Sequence, residues 1–259
     1  MLPARPVLRA GLPVLRRDEQ HLQVGLDHPG YAVLPDHPDV RDVLARLRAG
    51  RPPLPRTRVG VEALDRLARA GLLDDLDELE RRQAARLATA VGLDAPADLG
   101  RPAAERLRAA GLAVATDPDR AEVLLVLSDG PVPRAHLDPY TREGTPHLLV
   151  CTEPGGMVLG PFVEPGRTAC VRCVDAHLGV VDPRRALLLE QATTRVPREP
   201  ALHAVALAWA VADLVSWAEG RVPSTWSATV RLDADLGVRR TRWERHPGCG
   251  CAWDQALVG

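Results

Sequence analysis

The chain has 259 residues, 46% of them hydrophobic, enough for one large core or two ordinary ones. Its formal net charge of −1 gives no electrostatic case for nucleic acid as the main partner. All 33 basic residues are arginine, which excludes lysine-dependent chemistry such as a Schiff base or a Walker-type phosphate lysine.

In chain order, Pro13–Arg17, His21–Leu26 and Tyr31–Pro35 are short extended runs separated by turns, the pattern of a small antiparallel sheet. Alternation predicts Leu22, Val24 and Leu26 on one face. Pro38-Asp39 opens a helix with Val40, Val43, Leu44 and Leu47 in one stripe, ended by Gly50. The proline-rich stretch Arg51–Pro55 interrupts it. A second stripe, Val61, Leu64, Leu67 and Ala68, ends at Gly71. Strands, helix, turn and helix make a winged-helix order over residues 1–80. The acidic run Asp74–Glu80 opposes phosphates, so peptide binding at a strand edge suits the module better than DNA binding. A winged-helix DNA-binding regulator stays as an alternative.

Residues 81–259 read differently. Glu80–Ala90 is a charged helical linker. Ala88–Leu93 is a short strand, Arg101–Gly111 a helix, and Ala121–Leu127 a strand ending at Ser128-Asp129-Gly130. A helix around Arg134–Glu143 leads to the strand His147–Cys151. Alternating strands and helices indicate a mixed α/β domain. Leu148–Cys151 and Met157–Val163 form a hairpin-like pair, and Ala201–Glu219 is a long helix, apolar nearly all round and expected to be deeply buried. A final hairpin, Ala228–Leu236 and Val238–Trp243, feeds the C-terminal loop. No run of transmembrane length is read, and Met1-Leu2-Pro3-Ala4-Arg5 lacks a signal-peptide stretch, so the expectation is a cytoplasmic protein with reduced thiols and no membrane partner.

A nucleotide loop needs closely spaced glycines after the first α/β strand. Here that stretch, Val91–Gly100, has glycine only at Gly92 and Gly100 and adds Asp94 and Asp98. Asp129 after an apolar strand, with Arg134 beyond it, reads as a vestigial nucleotide site or as ordinary loop residues. An ATP-dependent adenylating enzyme using these two residues is the second alternative.

Two cysteine pairs carry the sharpest signal: Cys170-Val171-Arg172-Cys173 and Cys249-Gly250-Cys251. Four sulfur ligands read as a closed structural zinc (Zn2+) site that leaves no position for substrate, with a redox pair or independent free thiols as the alternative. His177 and His246 flank the pairs and read as supporting or surface residues. Cys151 lies in an apolar run and reads as a buried inert thiol.

The segments Gly160–His177 (GPFVEPGRTACVRCVDAH) and His246–Cys251 (HPGCGC) resemble the ThiF-like proteins of ribosomal-peptide natural-product clusters. These bind leader peptides for YcaO cyclodehydratases and are related to the ThiF/MoeB adenylating enzymes. Leu12–Arg17 and Val24–Pro35 also look like the small winged-helix recognition element at the front of such proteins. The resemblance implies a fold of two parts: a leader-recognition element over 1–80, and a degenerate ThiF-like α/β domain over 81–259 whose four cysteines hold zinc. It implies that a leader adds as a strand beside Tyr31, Ala32, Val33 and Leu34 and against the helix carrying Val61, Leu64, Asp65, Arg66, Ala68 and Arg69. The family's second helix is reduced here to Pro52–Arg58. Adenylating relatives carry a glycine loop and a catalytic lysine, both missing, so adenylation is not carried over. The expected role is a non-catalytic scaffold that presents a precursor peptide to a YcaO-type cyclodehydratase for azoline formation. A homodimer through the α/β half, as in adenylating relatives, is compatible with the resemblance.

Overall fold

The computed structural model describes residues 2–117, 120–192 and 194–252. The last residues of the expected second domain, 253–259, lie outside the described ones. The chain forms two compact units, residues 1–83 and 84–259.

In the first unit, β2 (Val14–Arg16), β3 (His21–Val24) and β4 (Ala32–Pro35) form an antiparallel sheet in the order β2-β3-β4. Alternation sends Leu22, Val24, Ala32 and Leu34 into the core. Leu26 does not follow them: β3 ends at Val24, Gly25 turns the chain at φ +81°, and Leu26 is 65% exposed. Helices α1 (Pro38–Arg48) and α2 (Arg58–Arg69) cover the sheet with Val40, Val43, Leu47, Ala63 and Leu67. Thr57 caps α2 through the Gly60 N–H at 3.2 Å. Buried Asp39 accepts from the Arg56 and Thr57 N–H groups and the Thr57 hydroxyl, tying the start of α1 to the start of α2. A second ladder, unread in the sequence, pairs β1 (Pro6–Leu8) with β5 (Leu73–Asp75). The acidic run is no open patch. Arg9 meets Asp74, Arg5 meets Asp77 and Glu80, and Arg81 and Arg82 meet Glu78, so its expected repulsion of phosphates is largely neutralised. Helix α3 (Leu76–Ala88) follows, with acids in its first turn as the helix dipole favours.

The second unit is a mixed sheet in the order β12-β11-β10-β9-β8-β6-β7. Strands β6 (Ala90–Asp94), β7 (Ala113–Val114), β8 (Val123–Ser128) and β9 (His147–Glu153) are parallel; β10 (Gly156–Val163), β11 (Ala228–Asp233) and β12 (Val238–Arg242) continue antiparallel. Central β8 is apolar from Val123 to Leu127 because both faces are covered. Val123, Leu125 and Leu127 face the cluster shared with α4 (Ala97–Ala109) and α8 (Pro200–Ala218). Leu124 and Val126 face the cluster shared with α5 (Arg134–Glu143) and α6 (Val171–Gly179). Helices α6 and α7 (Arg185–Gln191) were not anticipated.

Helix α8 corrects two expectations. Among the described residues it is the one helix long and apolar enough, by length and composition, to cross a membrane. It is also buried on one stripe rather than all round: Leu202, Ala206, Ala210 and Leu214 pack inward against β9 and β10, while Val205 is 40% exposed.

Candidate functional site

The four cysteines converge from two directions. After β10, the loop from Glu164 is closed by the Thr168 hydroxyl, which accepts from the Glu164 N–H at 2.7 Å. The Ala169 N–H then donates to Ser227 Oγ at 2.9 Å, which fixes where α6 begins. Cys170 is the N-cap of α6 and Cys173 lies in its first turn, so both sulfurs sit at a helix N-terminus that favours thiolate. From the other side, Trp243 anchors β12's exit by donating from Nε1 to Thr229 Oγ1. A turn in which the Cys249 N–H donates to the His246 carbonyl then delivers Cys249 and Cys251.

The four sulfurs lie within 4.8 Å of one another. Cys170 is 3.7, 3.6 and 3.4 Å from Cys173, Cys249 and Cys251, and Cys173 is 3.2 Å from Cys251. A tetrahedron with ~2.3 Å metal–sulfur bonds has edges of about 3.8 Å. The set can therefore hold one metal ion. With protons instead of a cation, the Cys170 thiol is pushed up, first by its hydrogen bond to Cys173, which holds Cys173 down. His177 and His246 are outside the ligand set. His177 Nε2 meets the Glu244 carbonyl at 2.9 Å, and the His246 ring stands edge-on to it at 5.0 Å. Cys151 is buried apart from the cluster, and burial pushes its thiol up to about 12, as befits an inert side chain.

The crevice at the carboxyl ends of β6 and β8 is where an open α/β sheet places ligands. Here it is occupied by the chain itself. Arg195 reaches Asp129 at 2.8 Å and Arg198 reaches it at 2.7 Å; Arg198 also pairs with Asp98. The Val196 N–H donates to the Asp129 carbonyl at 2.9 Å. The remaining hollow, about 540 Å³, is lined by Asp129, Arg195, Pro197, Arg198 and His203. The expectation that Arg134 shares this crevice with Asp129 is corrected. Arg134 is drawn to α6 by Asp175, which accepts two hydrogen bonds at 2.5 and 3.0 Å. Sequence reasoning missed Arg195 and Arg198, whose only signal is their spacing in Arg195-Val196-Pro197-Arg198.

The peptide-docking candidates divide by burial. Ala32, Leu34 and Leu64 point into the first unit's core, and their side chains are unavailable to a ligand. Tyr31, Val33 and Ala68 are half-buried; Val61, Asp65, Arg66 and Arg69 are exposed. Strand β4 is an edge of its sheet, with α2 packed beside it.

No protein-family model and no curated protein matches the sequence. The likeness is to solved structures and is first of all one of fold class. "Structure of the heterocyclase TruD" superposes with a TM-score of 0.69 at 19% identity, covering 99% of this chain and 44% of that one. A heterocyclase in complex with substrate and cofactor gives 0.70 at 16% identity, covering 98% and 40%. The Microcin C7 biosynthetic enzyme MccB with N-formylated MccA gives 0.63 at 11% identity, covering 95% and 99%; its structures also include E. coli MccB alone. The chain thus spans less than half of each heterocyclase chain and nearly the full length of MccB. At these identities the likeness is one of fold.

Proposed function

We propose that this chain is a non-catalytic scaffold of ribosomal-peptide maturation. Its first 80 or so residues act as a winged-helix recognition element for the leader of a precursor peptide. The α/β unit, pinned by a structural zinc on Cys170, Cys173, Cys249 and Cys251, presents that peptide to a YcaO-type cyclodehydratase for azoline formation. The observation that carries the reading is the unpaired edge of β4 beside α2, a place where an extended peptide adds a strand. The likeness in fold to a heterocyclase solved with its substrate supports it. The absence of catalysis is supported by the crevice, where Arg195 and Arg198 already neutralise Asp129. Tethering acts by raising the local concentration of a core peptide that itself makes weak contacts.

Four thiolates favour zinc or another soft ion over magnesium or calcium, and bound zinc would supply folding energy rather than reactivity. The test has two arms. A fluorescent peptide encoded beside the gene is titrated with the purified chain, and binding is expected. ATP–pyrophosphate exchange is measured on the chain alone, and none is expected; clear exchange would favour the adenylating alternative.

A further inference from the structure

The free edge of β4 is stopped by one of the chain's own side chains. In the β2-β3-β4 sheet the ladder bonds alternate. The Arg17 N–H meets the His21 carbonyl on the β2 side, and the Asp36 N–H meets the Gln20 carbonyl on the β4 side. With Leu22 opposite Leu34 and Val24 opposite Ala32, those pairs carry the β3–β4 bonds. The main-chain groups of Val33 therefore point away from β3, along the open edge. Arg66 Nη1, reaching over from α2, donates to the Val33 carbonyl at 2.7 Å. This is the acceptor that an added strand would need for its first N–H.

The charge on that gate is not matched. Glu62, one turn before Arg66, is taken by Arg58 at 2.7 Å. Among the described residues Arg69, one turn after, reaches only the main-chain carbonyl of Asp65, at 3.4 Å. Among the described residues Arg66 has no carboxylate partner. Its exposed guanidinium holds a neutral carbonyl, a weaker acceptor than an ion.

We infer that Arg66 is a gate selecting peptides that carry a carboxylate facing α2: the incoming strand takes the Val33 carbonyl, and the displaced guanidinium pairs with the Asp or Glu side chain. This rests on the docking reading above and adds a substrate class to it. A peptide with Gln or Asn at that position must displace Arg66 with no ionic partner to offer. An acidic peptide exchanges a neutral hydrogen bond for a forked ionic one.

The test is a two-by-two cycle on the full chain. Random dodecapeptides displayed on phage are selected against the protein. The strongest is synthesised with a fluorescent label in its native form and with each acid changed singly to the amide. Each is titrated against the wild type and Arg66→Ala. For one acidic position, wild type should bind the acid form about tenfold tighter than the amide, by the worth of a charge-assisted pair. In Arg66→Ala that preference should vanish, with the acid form binding more weakly than to wild type and the amide form more tightly. Selected peptides with no acid, or equal shifts of both forms in the variant, would overturn the gate and leave the docking reading standing. Failure to select any peptide would overturn both.

Discussion

The N-terminal unit closes on aliphatic side chains and one buried carboxylate, whereas the C-terminal unit ties its last described residues to α6 through four sulfurs. Asp39 in the first unit and Asp213 in the second do the same local work. Asp213, on α8, accepts from the main-chain N–H and hydroxyl of both Ser224 and Thr225, fixing the turn between α8 and β11. The difference lies in what else is available. The first unit can hold itself with neutral and ionic groups alone. The second must hold a loop running from Trp243 to Cys251, and within it the buried cluster consists largely of the cysteines themselves. If the four sulfurs hold a metal ion, the second unit can be unmade by chemistry that leaves the first intact.

The sharpest way to break that comparison is Cys173→Ser. Zinc content should fall from one ion per chain, and the second unit should lose stability on the order of 5 kcal/mol, within the folding energy that structural zinc supplies. Calorimetry should show the first unit's transition unmoved; a shift of both transitions together would mean that the units do not differ in this way. Asp213→Ala comes next. It strands four donors at a residue only 4% exposed and should cost about 3 kcal/mol in the second unit. Asp39→Ala should lower the first unit's transition instead. Its carboxyl is held below the usual 3.8, first by the Thr57 hydroxyl, so its contribution is complete above that value and is lost as pH falls through the depressed one. An acid titration of the first unit should therefore be steeper in wild type than in the variant. The smallest effect is expected from Gly130→Ala. Gly130 has φ +137°, and a Cβ there would sit 2.8 Å from the Thr194 carbonyl that passes over it. Roughly 1–2 kcal/mol of strain follows, read as a lowered second transition.

Much of this was legible in the residues, and the gaps have physical causes. The three strands of the first sheet and the helices α1 and α2 follow from alternation, helical stripes and glycine stops. The ladder of β1 on β5 was invisible because each strand is three residues long and its partner lies at the far end of the unit. Helix α6 begins just after its N-cap Cys170, where the ligand spacing and the helical spacing coincide, and the first masked the second. The gathering of four sulfurs was anticipated from spacing alone, since pairs of thiols near in sequence have few other uses. The filling of the crevice was not. Ion pairs between Asp129 and arginines more than sixty residues later leave no local trace. Arg134 was misplaced for the same reason, its partner Asp175 being 41 residues away.

The span of the sulfur clasp has a consequence for how the molecule is born. Cys170 and Cys251 are 81 residues apart, so an ion bound by all four sulfurs cannot be fully coordinated until residue 251 has cleared the ribosome tunnel. Until residue 249 emerges the ion finds two ligands at most, and until residue 251 emerges three. Full coordination would thus wait for residue 251 to emerge, and nascent chains stalled before that point would remain open to chelators and proteases.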